Sequence, residues 1–226
     1  MATISKIGRD ASNDPRIRRL AVSIFRANGI APRNYRGQAA AILKALQDGV
    51  YFVNEGDGRG GGEVLQDPLY TLDLQPDGSI GPRAAGDCDD FASTYLALCE
   101  SVHLSVRLVT SGRAADGRRV RWIEGVGASP SGVAWSHIYC CVASRPFGMK
   151  RYNDRLWSFA DGTVQGVPLG WDCIDNGQSD PQLGDSSLLA PVERIGGLSL
   201  RTAATLVGVS VVSAVLIGRL RRAGWV

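Results

Sequence analysis

Three side chains in this sequence have the types and the order that thiol-based acyl transfer needs: Cys88, His137 and Asp161. A thiol becomes a nucleophile once a base has taken its proton, and the base needs a partner that fixes its tautomer. Cys88 lies in GDCDDFASTYLALCE, residues 86–100, at the first turn of what reads as a helix. Acidic neighbours should oppose a thiolate. At a helix N-terminus, however, unpaired backbone N–H groups and the dipole favour an anion. Asp87 as N-cap and Asp90 three residues later have the spacing of a capping box. The acids can therefore start the helix without facing the sulfur, while Gly86 lets the backbone approach a substrate closely.

The chain has two histidines. His103 follows the Cys-bearing helix directly and reads as a turn residue. His137 lies in a strand, WSHIYCCV, where alternation puts Trp135, Tyr139 and Cys141 on its face and Ile138, Cys140 and Val142 on the other. In the next strand Asp161 shares a face with Trp157 and Phe159, and adjacent antiparallel strands bring such residues side by side. An oxyanion also needs donors. The Cys88 backbone N–H is the natural first one, and Gln66 or Tyr70 are candidates for the second. Singly, each residue has an ordinary structural explanation: a small buried cysteine, a hydrogen-bonded histidine, an aspartate in a turn before Gly162. Together, in this order and these contexts, they read as a catalytic triad. Cys99, Cys140, Cys141 and Cys173 read as packing residues.

The elements around them are legible from periodicity and caps. NDPRIRRLAVSIFRANG predicts a helix, capped by Asp14 with Pro15 at its first position, and with Ile17, Leu20, Ala21, Ile24 and Phe25 on one face. NYRGQAAAILKALQDG predicts a second, capped by Asn34, with Ala39, Ile42, Leu43 and Leu46 as its stripe. In the Cys-bearing helix Phe91, Tyr95, Leu98 and Val102 share a face. LSVRLVT, VRWI, AWSHIYCCVA and RLWSFADGTV read as strands, the last two as an antiparallel pair. Helices followed by strands make the fold class α+β. Residues 1–12 read as a polar tail, 13–169 as the domain, 170–197 as a linker and 198–222 as a separate apolar helix. EGDGRGGGEV, residues 55–64, lacks the Lys-Ser/Thr ending of a phosphate loop and reads as a flexible connection.

Composition bounds the function. At 226 residues, 44% hydrophobic and 21% charged, the chain is that of a globular protein. Its net charge of +3 is concentrated in residues 201–226, which hold four arginines and no acid, so no broad nucleic-acid-binding face is expected. The five cysteines include no C-x-x-C pair, and the first residues have no apolar signal-peptide core, so reduced thiols are expected. TAATLVGVSVVSAVLIG, residues 202–218, is 17 residues without a charge, with small residues recurring at 204 and 208 and at 210, 214 and 218. It reads as a membrane-inserting helix, or as one buried in an assembly.

The run GDCDDFASTYLALCESVHLSVRLV, then SHIYCCV, then WSFADGTV, resembles the transglutaminase-like (papain-like) cysteine hydrolase superfamily. The resemblance covers roughly residues 14–165. ADGTV departs from the DPT-type ending of that family. The resemblance implies a papain-like α+β core with Cys88 as nucleophile, His137 as base and Asp161 as its orienting partner. With QDPLYTL upstream, the chain is similar to small proteins encoded in tailed-phage and prophage structural gene clusters. That implies a protein or peptide substrate, and a protein made in the host cytoplasm and then associated with a virion or membrane. The expected chemistry is peptidase or amidase rather than cross-linking, since no amine-donor site is readable. The competing class is a non-enzymatic virion component anchored by its C-terminal helix. A Cys/His/Asp metal centre is disfavoured because only one His and one Cys converge, so no metal and no cofactor are expected.

Overall fold

The computed structural model describes residues 1–53, 65–146, 152, 153 and 155–175, and the backbone of 194, 195, 198 and 199. The chain divides into two units, Met1–Leu189 and Ala190–Val226.

The first unit opens with three helices. α1 (Ala2–Ser12) stands where the sequence reads as a tail. The reading failed because α1 buries small residues: Ser5, Gly8 and Ala11 face inward, and none marks an apolar stripe. A Cβ on Gly8 would come within 2.8 Å of the Ser93 carbonyl oxygen and 2.9 Å of Leu96 Cδ2, so only glycine permits this helix approach. α2 (Pro15–Ala27) starts as expected, with the Asp14 carboxylate accepting from Arg16 N at 2.7 Å and Pro15 in the first turn. α3 (Tyr35–Gly49) starts with Asn34 accepting from Gly37 N at 3.0 Å. Both expected apolar stripes are buried, and Gln47 is buried with the second.

A short parallel pair, β1 (Tyr51–Phe52) and β2 (Ala85–Gly86), then brings the chain to the Cys-bearing helix, with the small helix α4 (Pro68–Thr71) between them in sequence. α5 (Cys88–Ser101) is buried around nearly its whole circumference; only Glu100 is partly exposed. The single face expected from its periodicity is one side of a central helix. Tyr95 hands its hydroxyl to the Ala39 carbonyl at 3.2 Å, fastening α5 to α3.

The sheet follows as β3 (Leu104–Ala114), β4 (Arg119–Ile123), β5 (Val133–Pro146) and β6 (Trp157–Ala160), all antiparallel, in the order β4-β3-β5-β6. Leu104, Val106, Leu108, Ile138, Cys140, Val142 and Ala160 pack with the helices. Val109, Ile123, Tyr139, Cys141, Ala143 and Trp157 form a smaller cluster on the other face, together with Cys173. Helices gathered on one face of an antiparallel sheet make this an α+β fold. Gly170–Asp175, read from sequence as linker, is tied to the unit. Gly170 N donates to Phe159 O at 2.7 Å, Tyr139 Oη donates to Asp172 Oδ1 at 3.0 Å, and Arg121 pairs with Asp172.

In the second unit, β7 (Arg194–Ile195) and β8 (Leu198–Ser199) form an antiparallel pair. Residues 198 and 199, expected to begin the apolar helix, are therefore strand. The glycine-rich stretch 55–64 and the apolar stretch 202–218 lie outside the described residues. Among the described residues no helix is long and apolar enough to cross a membrane.

Candidate active site

Cys88 occupies the first position of α5, and the capping box read from the sequence is present. Asp87 accepts from Asp89 N at 3.3 Å, and Asp90 Oδ2 accepts from Asp87 N at 3.4 Å. Gly86 gives this cap room: a Cβ there would meet Asp90 Cβ at 2.6 Å. The acids thus hold the helix start, as the capping reading required.

His137 sits in β5 beside a register shift at Ser136, where Ser111 pairs with His137 and Gly112 with Trp135. β6 pairs with β5 only from Cys140 to Ala143, so His137 and Ile138 lie past its end, next to the residues that follow β6. There Asp161 Oδ2 is 2.7 Å from His137 Nε2, and both side chains are completely buried. Thr163 holds the other carboxylate oxygen, donating from Oγ1 at 2.6 Å and from its backbone N–H at 3.1 Å. The intervening Gly162 lets this turn pack on α5, since a Cβ would come within 2.7 Å of the Phe91 ring. Gln47 of α3 braces the same turn, its amide donating to the carbonyls of Asp161, Val164 and Val167 at 3.2, 2.9 and 3.2 Å.

With Nε2 given to Asp161, His137 Nδ1 is the ring atom left for the thiol. It is buried and makes no standard hydrogen bond among the described residues. Burial holds the Cys88 thiol above its ordinary value, and the His137 ring and the Ile138 backbone N–H offset only part of that push. Burial opposes the imidazolium of His137, but Asp161 and then Cys88 outweigh it and hold His137 well above the ordinary histidine range. Burial alone would raise Asp161; the facing imidazole and Thr163 overcome it and hold the carboxyl low. The arrangement holds the ring with Nε2–H towards the Asp161 carboxylate and favours the imidazolium that forms once Nδ1 takes the Cys88 proton.

The other expected residues divide. His103 is exposed, with a positive φ of 65°, in the turn after α5, away from the N-terminal end that carries Cys88. Gln66 donates its backbone N–H to Asp90 Oδ1 at 2.8 Å, which ties it to the start of α5. Tyr70 lies on α4 with 77% of its surface exposed. Nothing in that position brings its ring to the thiol.

Sequence reasoning missed three residues, Gln47, Thr163 and Ser111, and read Cys173 as packing. Gln47 was visible as a polar residue continuing the Leu43/Leu46 stripe of α3. Thr163 was visible as a hydroxyl two residues beyond Asp161. Ser111 carried no signal; Cys173 packs in the smaller cluster as read, but its stretch is Gly/Asp-rich and only the fold decides its path. Ser111 Oγ and Cys173 Sγ are 3.7 Å apart, and Cys173 stands beside the dyad. No protein-family model matches this chain, and no curated protein matches it.

Proposed function

We propose that this protein is a cysteine-dependent hydrolase of peptide or amide bonds, using Cys88, His137 and Asp161, with the transglutaminase-like, papain-like core that its sequence resembles. The observation that carries the reading is one buried imidazole with Asp161 on Nε2 and the helix-start thiol as the partner left for Nδ1. The thiol proton passes to Nδ1 as the sulfur attacks the carbonyl carbon. The C–N bond breaks, and the amine leaves with that proton. Water then adds to the thioester while Nδ1 takes its proton, the C–S bond breaks, and the acid departs as Cys88 regains its hydrogen. The Cys88 backbone N–H, outside the repeating bonds of its helix, is the first oxyanion donor. The Gln66 side-chain amide is the candidate for the second donor, its backbone N–H being given to Asp90 Oδ1 at the same helix start.

Limited alkylation with iodoacetamide and peptide mapping tests the reading. Cys88 is expected to react first. Cys99, Cys140 and Cys141 are fully buried, and Cys173 at 4% is as enclosed as Cys88 at 5%, so preference for Cys88 over Cys173 reports activation and not access. His137→Ala should remove that preference and His103→Ala should keep it. Faster labelling of Cys173 or Cys99 would overturn the nucleophile assignment.

The second reading, a virion or membrane-anchored assembly protein, rests on the uncharged stretch 202–218. It is compatible with an active triad in the first unit.

A further inference from the structure

The amide chemistry gives Cys173 no chemical role, yet it packs beside His137 and Asp161. His137, Asp161 and Cys173 place an imidazole nitrogen, a carboxylate oxygen and a sulfur all within 4.8 Å of one another, and all three residues are buried. The placement is built. Arg119 donates to the Cys173 carbonyl at 3.1 Å, and Ser111 lies against its sulfur. On the preceding residue, Asp172 Oδ1 accepts from Ile174 N at 2.9 Å and from Tyr139. Thr163 occupies Asp161 Oδ1, which leaves Oδ2 directed into the cluster.

One nitrogen, one sulfur and one carboxylate oxygen form a donor set suited to a thiophilic divalent cation. Three protein ligands with an open fourth position match the coordination of a reactive zinc site. Metal–ligand bonds of about 2.0–2.3 Å in a tetrahedron put donor atoms about 3.3–3.8 Å apart. The 2.7 Å separation of Nε2 and Oδ2 would have to open by roughly half an ångström, and the sulfur, within 4.8 Å of an imidazole nitrogen and a carboxylate oxygen, would have to close in on them.

We infer that a divalent cation of the zinc class binds between His137 Nε2, Asp161 Oδ2 and Cys173 Sγ, taking the place of the proton shared by the dyad, and thereby switches off the thiol chemistry. Binding needs the Nε2 lone pair and a Cys173 thiolate. From the imidazolium form, one proton leaves Nε2 and one leaves Cys173, and the remaining ring proton stays on Nδ1. That nitrogen then has no lone pair with which to take the Cys88 proton. The ion is an inhibitor that competes with protons, and Cys173 is its sensor. The switch rests on the thiol-hydrolase reading; the binding does not.

The test is a Co²⁺ titration of the metal-stripped full chain, followed by absorption, with circular dichroism to confirm that each variant is folded. One equivalent should give a thiolate-to-metal charge-transfer band and the strong visible bands of four-coordinate cobalt. Cys88→Ser should keep the charge-transfer band. Cys173→Ser and Cys173→Ala should lose it, and Asp161→Asn should weaken binding by about 10- to 100-fold. Absence of the band at one equivalent overturns the site, as does a band that survives Cys173→Ser but not Cys88→Ser. In the second arm, Zn²⁺ should slow Cys88 alkylation at least about tenfold in the unmodified chain and much less in Cys173→Ser. Unchanged alkylation with the cobalt bands intact overturns the switch. If metal-free Cys88 shows no preference in alkylation while the bands obey the pattern, the hydrolase reading fails and the metal site stands.

Discussion

His137 Nε2 lies 2.7 Å from Asp161 Oδ2, and neither side chain exposes any surface. A buried ion pair is costly to break because the remaining charge is left unsolvated. The pair therefore fixes the ring plane and the tautomer together, which is what the thiol requires of its base.

Asp161→Asn removes the charge but keeps an oxygen for Thr163. The imidazolium loses its main support while burial still opposes it, so the His137 pKa falls and the Cys88 thiol keeps less help against the upward push of burial. Cys88 alkylation near neutral pH should fall, its pH profile should move to higher pH, and hydrolysis should fall by about 10²–10⁴. The stability sign follows from the same shifts. A lowered carboxyl contributes above its unfolded value of about 3.9, and a raised imidazole below its unfolded value of about 6.5, losing that contribution as pH rises through the folded value. The loss of stability in Asp161→Asn should be large between those limits and shrink as acid protonates the wild-type carboxylate. Urea midpoints across pH check this; a uniform loss would overturn the ion-pair account.

Gln47→Leu keeps volume but strands the Asp161 carbonyl in the interior and takes their donor from the half-buried carbonyls of Val164 and Val167. Unsatisfied buried acceptors should cost about 1–3 kcal/mol in stability. Because the same turn carries Asp161, the rate of Cys88 alkylation should also drop. A stability loss with unchanged alkylation would show that Gln47 supports the fold alone.

Gly8→Ala sets two effects against each other. Replacing glycine inside a helix gains about 0.5–1 kcal/mol, while overpacking costs about 1–3 kcal/mol. The new methyl would meet the Ser93 backbone oxygen at 2.8 Å, and that atom cannot swing aside, so the cost should win. Denaturant unfolding should show a lower midpoint with an unchanged slope. A stabilised variant would mean that α1 shifts freely on α5.

The uncharged stretch 202–218 would span about 26 Å as a helix, close to a hydrocarbon core of about 30 Å, with arginines at both ends able to reach the interfaces. The full chain should stay with membranes after alkaline carbonate extraction, and a version ending at Glu193 should be released. A full-length protein that is soluble and monodisperse without detergent would overturn the membrane reading; a soluble but strictly oligomeric one would favour burial in an assembly.

The sequence by itself determined whatever depends on neighbours along the chain. Asp14, Asn34 and Asp87 cap within three residues, and the stripes of α2 and α3 repeat with the helical period. The parity of β5 set Tyr139 and Cys141 against Ile138 and Cys140. The order of Cys88, His137 and Asp161 could be read because each sits at a locally marked place: a helix start, a strand, a turn. Tertiary structure decided what depends on surfaces meeting. α1 is held through Gly8, and a glycine leaves no apolar mark in a sequence although it sets how closely two helices approach. At Gly86 the fold packs Asp90 so close that a Cβ would clash, a demand the sequence does not show. Cys173 is 36 residues from His137 in a stretch without periodicity, so only the return of the chain across the sheet, held by Tyr139, Arg119 and Arg121, could bring a second sulfur to the dyad.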